Sequence, residues 1–223
     1  MRTILRVSIA ACAILAARCA CAADNSGNES DFWAPSADSE WAIRRNLWPE
    51  GLGFGLRKGA QTAGFGFGAG SGMKIFGGTE THDLVLGRIC YGRVLTDVVG
   101  GQIWPRGNFE WRVELMGAGQ YRPKDAYLVG LTPLLRYDFA TGSRWMPFVD
   151  IGAGLSVTDM GRPDLSTKFE FNIQAGGGLN YFVRPNTALT LQYRYLHVSN
   201  ARIAYPDHGV NMGVASTGMT WYF

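Results

Sequence analysis

A histidine and a serine two residues apart, His197 and Ser199, are the pair in this chain whose types and spacing best fit a reaction. They lie in Tyr193-Arg194-Tyr195-Leu196-His197-Val198-Ser199-Asn200-Ala201. On an extended strand, residues i and i+2 point to the same face, so the imidazole and the hydroxyl would stand side by side. An imidazole there can take the hydroxyl proton, which is what an activated serine nucleophile requires. The same spacing fits a polar pair at a strand end in a membrane's interfacial belt, and spacing alone does not separate the two readings.

Other candidates are weaker. From Gly51 to Gly72 glycine alternates with Phe54, Phe65 and Phe67, but no Lys-Ser/Thr follows at the spacing of a phosphate-binding loop. The segment reads as a glycine-rich first strand or the approach to one. His82 has no partner visible in sequence and is expected on the surface of the first outer loop. Cys90 falls with Arg88 on the charged face of its strand. No neighbouring His or Cys suggests a metal there, so Cys90 reads as a small filler of an interior. No metal and no organic cofactor is expected.

The elements that must carry these residues are long alternating strands. In Phe109-Glu110-Trp111-Arg112-Val113-Glu114-Leu115 the apolar residues take one face and the charges the other. The split recurs with Tyr127, Val129, Leu131, Leu135 and Tyr137 against Thr132, Arg136 and Asp138. It recurs again with Phe169, Phe171, Ile173, Leu179 and Tyr181 against Glu170, Asn172, Gln174 and Asn180. A period of two marks strands. Strands are expected over 62–76, 83–95, 107–118, 125–139, 146–156, 168–182, 187–198 and 211–223. Soluble strands run to about five or six residues, whereas barrel strands need about nine to eleven to cross a bilayer. The polar face carries both signs, as a small packed lumen requires, and the chain closes on Met219-Thr220-Trp221-Tyr222-Phe223, an alternating strand with a terminal aromatic. The pattern predicts an all-β fold, an eight-stranded antiparallel transmembrane β-barrel. Its longer loops, around 117–125, 157–167 and 199–210, would lie on the outer side, and Thr96 to Gly107 would form a long inner connection.

The N-terminus fits an exported protein. Arg2 and Arg6 precede the apolar stretch Val7 to Ala17 and the small-x-small site Ala20-Cys21-Ala22, the pattern of a cleaved signal peptide over residues 1–22. The stretch is shorter than the roughly 20 apolar residues of a spanning helix. Ile9-Ala10-Ala11-Cys12 is a poor lipoprotein box because apolar sequence continues past Cys12. Cleavage would remove Cys12, Cys19 and Cys21, leaving Cys90 without an internal disulfide partner. It would also remove Arg2, Arg6 and Arg18 from the 21 basic residues, leaving 18 against 18 acidic. The pI near 8.7 therefore belongs to the precursor, and no nucleic-acid partner is expected. Residues 23–50 read as an irregular periplasmic lead and residues 51–223 as the barrel domain.

The segment Tyr193 to Ala201, with Pro206 and Gly209-Val210-Asn211 after it, resembles the signature of the lipid A 3-O-deacylase (PagL) family. Arg136-Tyr137-Asp138-Phe139, Pro147-Phe148-Val149 and Gly152-Ala153-Gly154-Leu155 are similar to its middle strands, and Phe169 to Phe182 to its sixth. The resemblance spans about residues 107–223, the first strands matching loosely. It implies an outer-membrane barrel that hydrolyses the ester-linked 3-hydroxyacyl chain at the 3 position of lipid A. Ser199 would be the nucleophile, His197 the general base and Asn200 a contributor to the oxyanion hole. The implied partner is lipopolysaccharide of the outer leaflet, and a second copy of the chain is a candidate partner in a homodimer.

Two positions depart from the family. Its acidic triad member is a glutamate where Asn211 stands here. Asparagine can accept the imidazole N–H and fix its tautomer, but it cannot stabilise imidazolium by charge. Asp207 or His208 would be the nearest substitutes, each also reading as a solvated loop residue. Arg202 stands where the family usually has glycine, and its side chain is a candidate contact for a lipid phosphate. Parity adds a check independent of the family, because Tyr193, Tyr195, His197 and Ser199 oppose Gln192 and Arg194, and Asn211 shares parity with Trp221 and Phe223. All three candidate residues then face lipid, where polar side chains are costly unless interfacial or functional. The competing reading is a non-catalytic barrel, serving as an adhesin, a structural protein or a lipopolysaccharide-binding relative with a degenerate site.

Overall fold

The computed structural model describes residues 56–76, 78–100 and 105–223; the expected signal peptide and periplasmic lead lie outside them. Eight strands follow one another in chain order: β1 (Gln61–Gly72), β2 (Asp83–Val94), β3 (Gly107–Arg122), β4 (Ala126–Phe139), β5 (Trp145–Thr158), β6 (Phe169–Arg184), β7 (Thr187–Ser199) and β8 (Val210–Tyr222). Each pairs antiparallel with the next, and β1 pairs with β8, so the sheet closes into a barrel with no free edge. Closure satisfies every ladder within the protein, the condition for crossing hydrocarbon with strands.

The alternation read from the sequence sorts the two faces as expected. In β3, Glu110, Arg112 and Glu114 are buried while Trp111 and Leu115 are exposed. The buried charges pair across the lumen. Asp150 accepts from Arg136 and Arg194, each at 2.8 Å, and Glu114 accepts from Arg194 at 2.7 Å. The outward face is apolar and ringed by aromatics at both rims. Tyr91, Phe109, Trp111 and Trp145 are exposed toward the rim holding the chain terminus, and Tyr121, Tyr127, Phe169 and Phe171 toward the far rim. Such girdles mark the two interfaces of a membrane barrel.

The lumen is filled along its length. Below the ion pairs the Arg136 guanidinium lies 3.7 Å from the centre of the Phe148 ring, and Phe182 packs on Tyr222. Toward the far rim the interior turns apolar. Leu84, Leu86, Met116, Leu128, Leu196, Val198, Val210 and Met212 form one buried cluster with Met160 and Leu165 from the β5–β6 loop. This plug is the floor on which the far ends of β7 and β8 rest.

Two stretches differ from their sequence reading. Gly117 to Arg122 was expected to open a loop, yet β3 runs on through it. Gly117 and Gly119 take outward positions with open space around them, while Met116, Ala118 and Gln120 keep the buried phase. Glycine here continues the strand instead of breaking it. Conversely β1 stops at Gly72, short of the expected Phe76, where the returning chain passes so close that a Cβ at Gly72 would stand 2.3 Å from the His82 nitrogen. Met73 and Ile75 meet Asn211 of β8 instead, the Met73 N–H donating to the Asn211 carbonyl at 2.8 Å and the Ile75 carbonyl accepting from the Asn211 side chain.

Candidate functional site

His197 and Asn211 are directly opposed across β7 and β8, and Phe171 and Ile173 of β6 oppose Ser199 and His197 on the other side. Outward parity therefore sets the three polar residues into an apolar wall at the far rim. His197 Nε2 lies 3.0 Å from Ser199 Oγ, and His197 Nδ1 lies 2.8 Å from Asn211 Oδ1. Carboxamide Nδ2 of Asn211 donates to the Ile75 carbonyl at 2.9 Å, and the Tyr195 hydroxyl donates to Asn211 Oδ1. With Oδ1 turned to the imidazole, Nδ1 must carry the proton, and the Nε2 lone pair then faces the serine hydroxyl. This is the tautomer a general base needs.

Space for the ring is provided by Gly209. Its φ is +72°, and a Cβ there would sit 2.7 Å from His197 Cε1. Gly209 opens β8 beside the ring, its own N–H donating to the backbone carbonyl of Asp164 at 3.2 Å.

Asp164, in the β5–β6 loop, joins three loops. Its carboxylate accepts from Thr79 N at 2.9 Å, Thr79 Oγ1 at 2.6 Å, Glu80 N at 3.1 Å and His82 Nε2 at 2.9 Å. Its backbone oxygen accepts from His208 and Gly209 of the β7–β8 loop. Burial pushes the Asp164 carboxyl up, but the hydrogen bonds from Thr79, His82 and Glu80 outweigh it and hold the group below the ordinary carboxylate value. His82, expected at the surface, is therefore corrected: it is buried, and its second nitrogen pairs with Gln120 Oε1 at 2.7 Å. Its partners are distant in sequence, so nothing local announced them. Glu80, His82 and Asp164 bring three ligating side chains within 4.8 Å, but hydrogen bonds already occupy both nitrogens of His82 and both oxygens of Asp164.

Asn200 and Arg202 lie in the turn that follows Ser199. Asn200 has the opposite parity to Ser199, and its Nδ2 is committed to Ser166 Oγ at 3.0 Å and the Ala204 carbonyl at 3.1 Å. The carboxamide that was to meet the oxyanion thus points into the loop. Arg202 is exposed, with φ +65° following Ala201 at +56°. A left-handed position is one that glycine takes at least cost. Asp207 caps this turn, accepting from the N–H groups of Asn200 at 3.2 Å and Arg202 at 2.7 Å, and His208 is exposed. The hydrogen bonds described for His197 involve neither. Cys90 is free and accepts from Arg112 within the barrel. Tyr195 was within reach of sequence reasoning, since it shares the face of His197. The Ile75 carbonyl was not, being main chain from a distant loop.

Fold and site together describe a transmembrane-type β-barrel with hydrogen-bonded serine, histidine and asparagine side chains on the outer side of its wall, Ser199 and His197 half-buried and Asn211 buried against Ile75. The family model for lipid A 3-O-deacylase (PagL) matches residues 94–220. The chain belongs to that family. No curated protein sequence matches it. Among solved structures, the barrel is similar to Neisserial surface protein A, 20% identical with TM-score 0.51, over 74% of this chain and 98% of that one. It is also similar to the outer membrane enzyme PagL, 18% identical with TM-score 0.49, over 70% of this chain and 97% of that one. The first of these likenesses shows the fold and nothing further.

Proposed function

We propose that this chain is an outer-membrane esterase that removes the 3-O-linked 3-hydroxyacyl chain of lipid A, with Ser199 as nucleophile, His197 as general base and Asn211 orienting His197. The observation that carries the reading is the unbroken relay Ser199 Oγ, His197 Nε2, His197 Nδ1, Asn211 Oδ1, with steps of 3.0 Å and 2.8 Å, on the face that meets lipid. Membership of the deacylase family supplies the substrate class.

Chemically, Ser199 Oγ attacks the ester carbonyl carbon as its proton passes to His197 Nε2. Collapse of the tetrahedral intermediate breaks the bond to the lipid A oxygen, which takes that proton and leaves as the alcohol. Water then repeats the sequence on the acyl-enzyme, with His197 again holding the proton, and releases the 3-hydroxy fatty acid. Developing charge on the ester oxygen needs a donor. In the turn after Ser199, the amides of Asn200, Arg202 and Ile203 are donated to Asp207, Asp207 and Asn200. We therefore assign the oxyanion contact to the Ala201 N–H in place of the Asn200 side chain. We assign a lipid phosphate to Arg202, whose side chain is exposed beside the site. No step calls on a metal or an organic cofactor.

The test is lipid A profiling by mass spectrometry after expression in outer membranes, comparing the unaltered chain with Ser199→Ala and His197→Ala. The expected outcome is loss of one 3-hydroxyacyl chain with the unaltered protein, and none with either variant. Unchanged lipid A beside a folded, inserted barrel would overturn the esterase reading and leave a barrel that contacts lipopolysaccharide without cleaving it.

A further inference from the structure

An asparagine at the acid position presents a problem of orientation before one of charge. A carboxamide can turn over, and a turned Asn211 would offer Nδ2 to His197, drawing the ring into the tautomer whose Nε2 carries the proton. That tautomer cannot take a proton from Ser199. Two groups oppose the turn. The Ile75 carbonyl can only accept, and it faces Nδ2 at 2.9 Å; the Tyr195 hydroxyl donates to Oδ1 from the neighbouring position on the face of His197. Turning the amide would set oxygen against the Ile75 oxygen, and the Tyr195 hydroxyl would have to give up its donated bond and turn its proton away to accept from Nδ2. Ile75 is itself fixed, because its N–H donates to the Met73 carbonyl at 2.9 Å and the Met73 N–H to the Asn211 carbonyl at 2.8 Å. Asn211 thus grips the segment 73–75 with main chain and side chain together.

We propose that Tyr195 and the Ile75 carbonyl form a clamp that makes Asn211, and not an acid, the matched partner of His197 in this chain. Tyr195 is then a positioning residue, acting through Asn211 on the imidazole. The inference rests on the reading of Ser199 and His197 as the reactive pair. Its sharpest consequence runs against intuition. Restoring a glutamate at position 211 would place a group with acceptors only against the Ile75 carbonyl, and would lengthen the side chain by one methylene between two elements already in contact. Asn211→Glu should therefore slow the reaction.

The test joins kinetics to a direct view of the ring. Protein labelled with 15N histidine, refolded into detergent micelles, reports the tautomer of His197 through its nitrogen shifts. Assignment among three histidines follows from His197→Gln. The expected result is a single Nδ1–H tautomer in the unaltered protein and a mixture in Tyr195→Phe. On lipid A in mixed micelles, Tyr195→Phe should lower kcat by roughly tenfold with little change in KM, the scale of one lost hydrogen bond in the transition state. Asn211→Glu should fall below the unaltered enzyme, with Asn211→Asp, equal in length to asparagine, separating charge from bulk. A Tyr195→Phe protein with unchanged tautomer and unchanged kcat, or an Asn211→Glu protein faster than the parent, would overturn the clamp. A pure Nδ1–H tautomer that mixes in Tyr195→Phe, in a protein without esterase activity, would uphold the clamp and sink the catalytic reading instead.

Discussion

His197 works in a space bounded by one hydrogen atom. At Gly209 the backbone is left-handed, and a methyl group would press on the imidazole edge at 2.7 Å. Two penalties therefore coincide in Gly209→Ala: the conformational cost of a non-glycine residue at positive φ, about 1 kcal/mol, and displacement of the ring from Ser199. A ring moved by 1 Å can cost on the order of a hundredfold in rate. Gly209→Ala should therefore lose about two orders of magnitude in deacylation while keeping the heat-modifiable migration of a folded barrel in electrophoresis. Retention of full activity would show that the ring has room to spare. Arg202 poses the converse case. It occupies a left-handed position without being glycine, at a conformational cost that its exposed cationic side chain would offset by contact with substrate.

At the scale of elements, the strands were legible because one face meets lipid and the other meets paired charges, so parity speaks in nearly every residue. Boundaries failed where parity falls silent. Gly117 and Gly119 carry no side chain to declare a face, and Met73-Lys74-Ile75-Phe76 follows β1 without a break in pattern but is held to Asn211 of β8 by one main-chain and one side-chain hydrogen bond. Ser199, His197 and Asn211 could be placed together because all three lie within strands. Asn200 could not, because its partners Ser166 and Ala204 belong to loops, and the same holds for His82 with Asp164. Loop contacts of this kind depend on tertiary meeting points that no local period encodes.

Those loops supply a pH dependence whose sign can be worked out. The Asp164 carboxyl is held below its ordinary value, so its hydrogen bonds stabilise the loop frame fully above the unfolded value of about 4 and are lost as pH falls through the folded value. Amide resonances of Thr79, Glu80, His208 and Gly209 should move together on acidification below about pH 4, with the strand amides unmoved. Asp164→Asn should abolish that shared transition. Independent titration of the four amides would show that Asp164 does not couple these loops.

At the scale of the barrel, the far end is sealed by hydrocarbon of the chain's own. Leu84, Leu128, Leu196 and Met212, with their neighbours, fill the lumen beneath the far rim, while Ser199 and His197 stand on the opposite surface of the same strands. On the proposed reading a substrate would arrive by lateral diffusion in its own leaflet, its acyl chains staying in lipid while the ester reaches Ser199. Lifting a chain out of the bilayer would cost about 0.8 kcal/mol for each methylene, so ten methylenes would add about 8 kcal/mol to the barrier of any route through the interior. The rate should accordingly follow the mole fraction of lipid A in mixed micelles and fall on dilution with inert detergent at constant bulk substrate. A rate set by bulk concentration alone would speak for entry from water. On the proposed reading a sealed lumen would make this a two-dimensional catalyst, whose natural concentration unit is molecules per area of membrane.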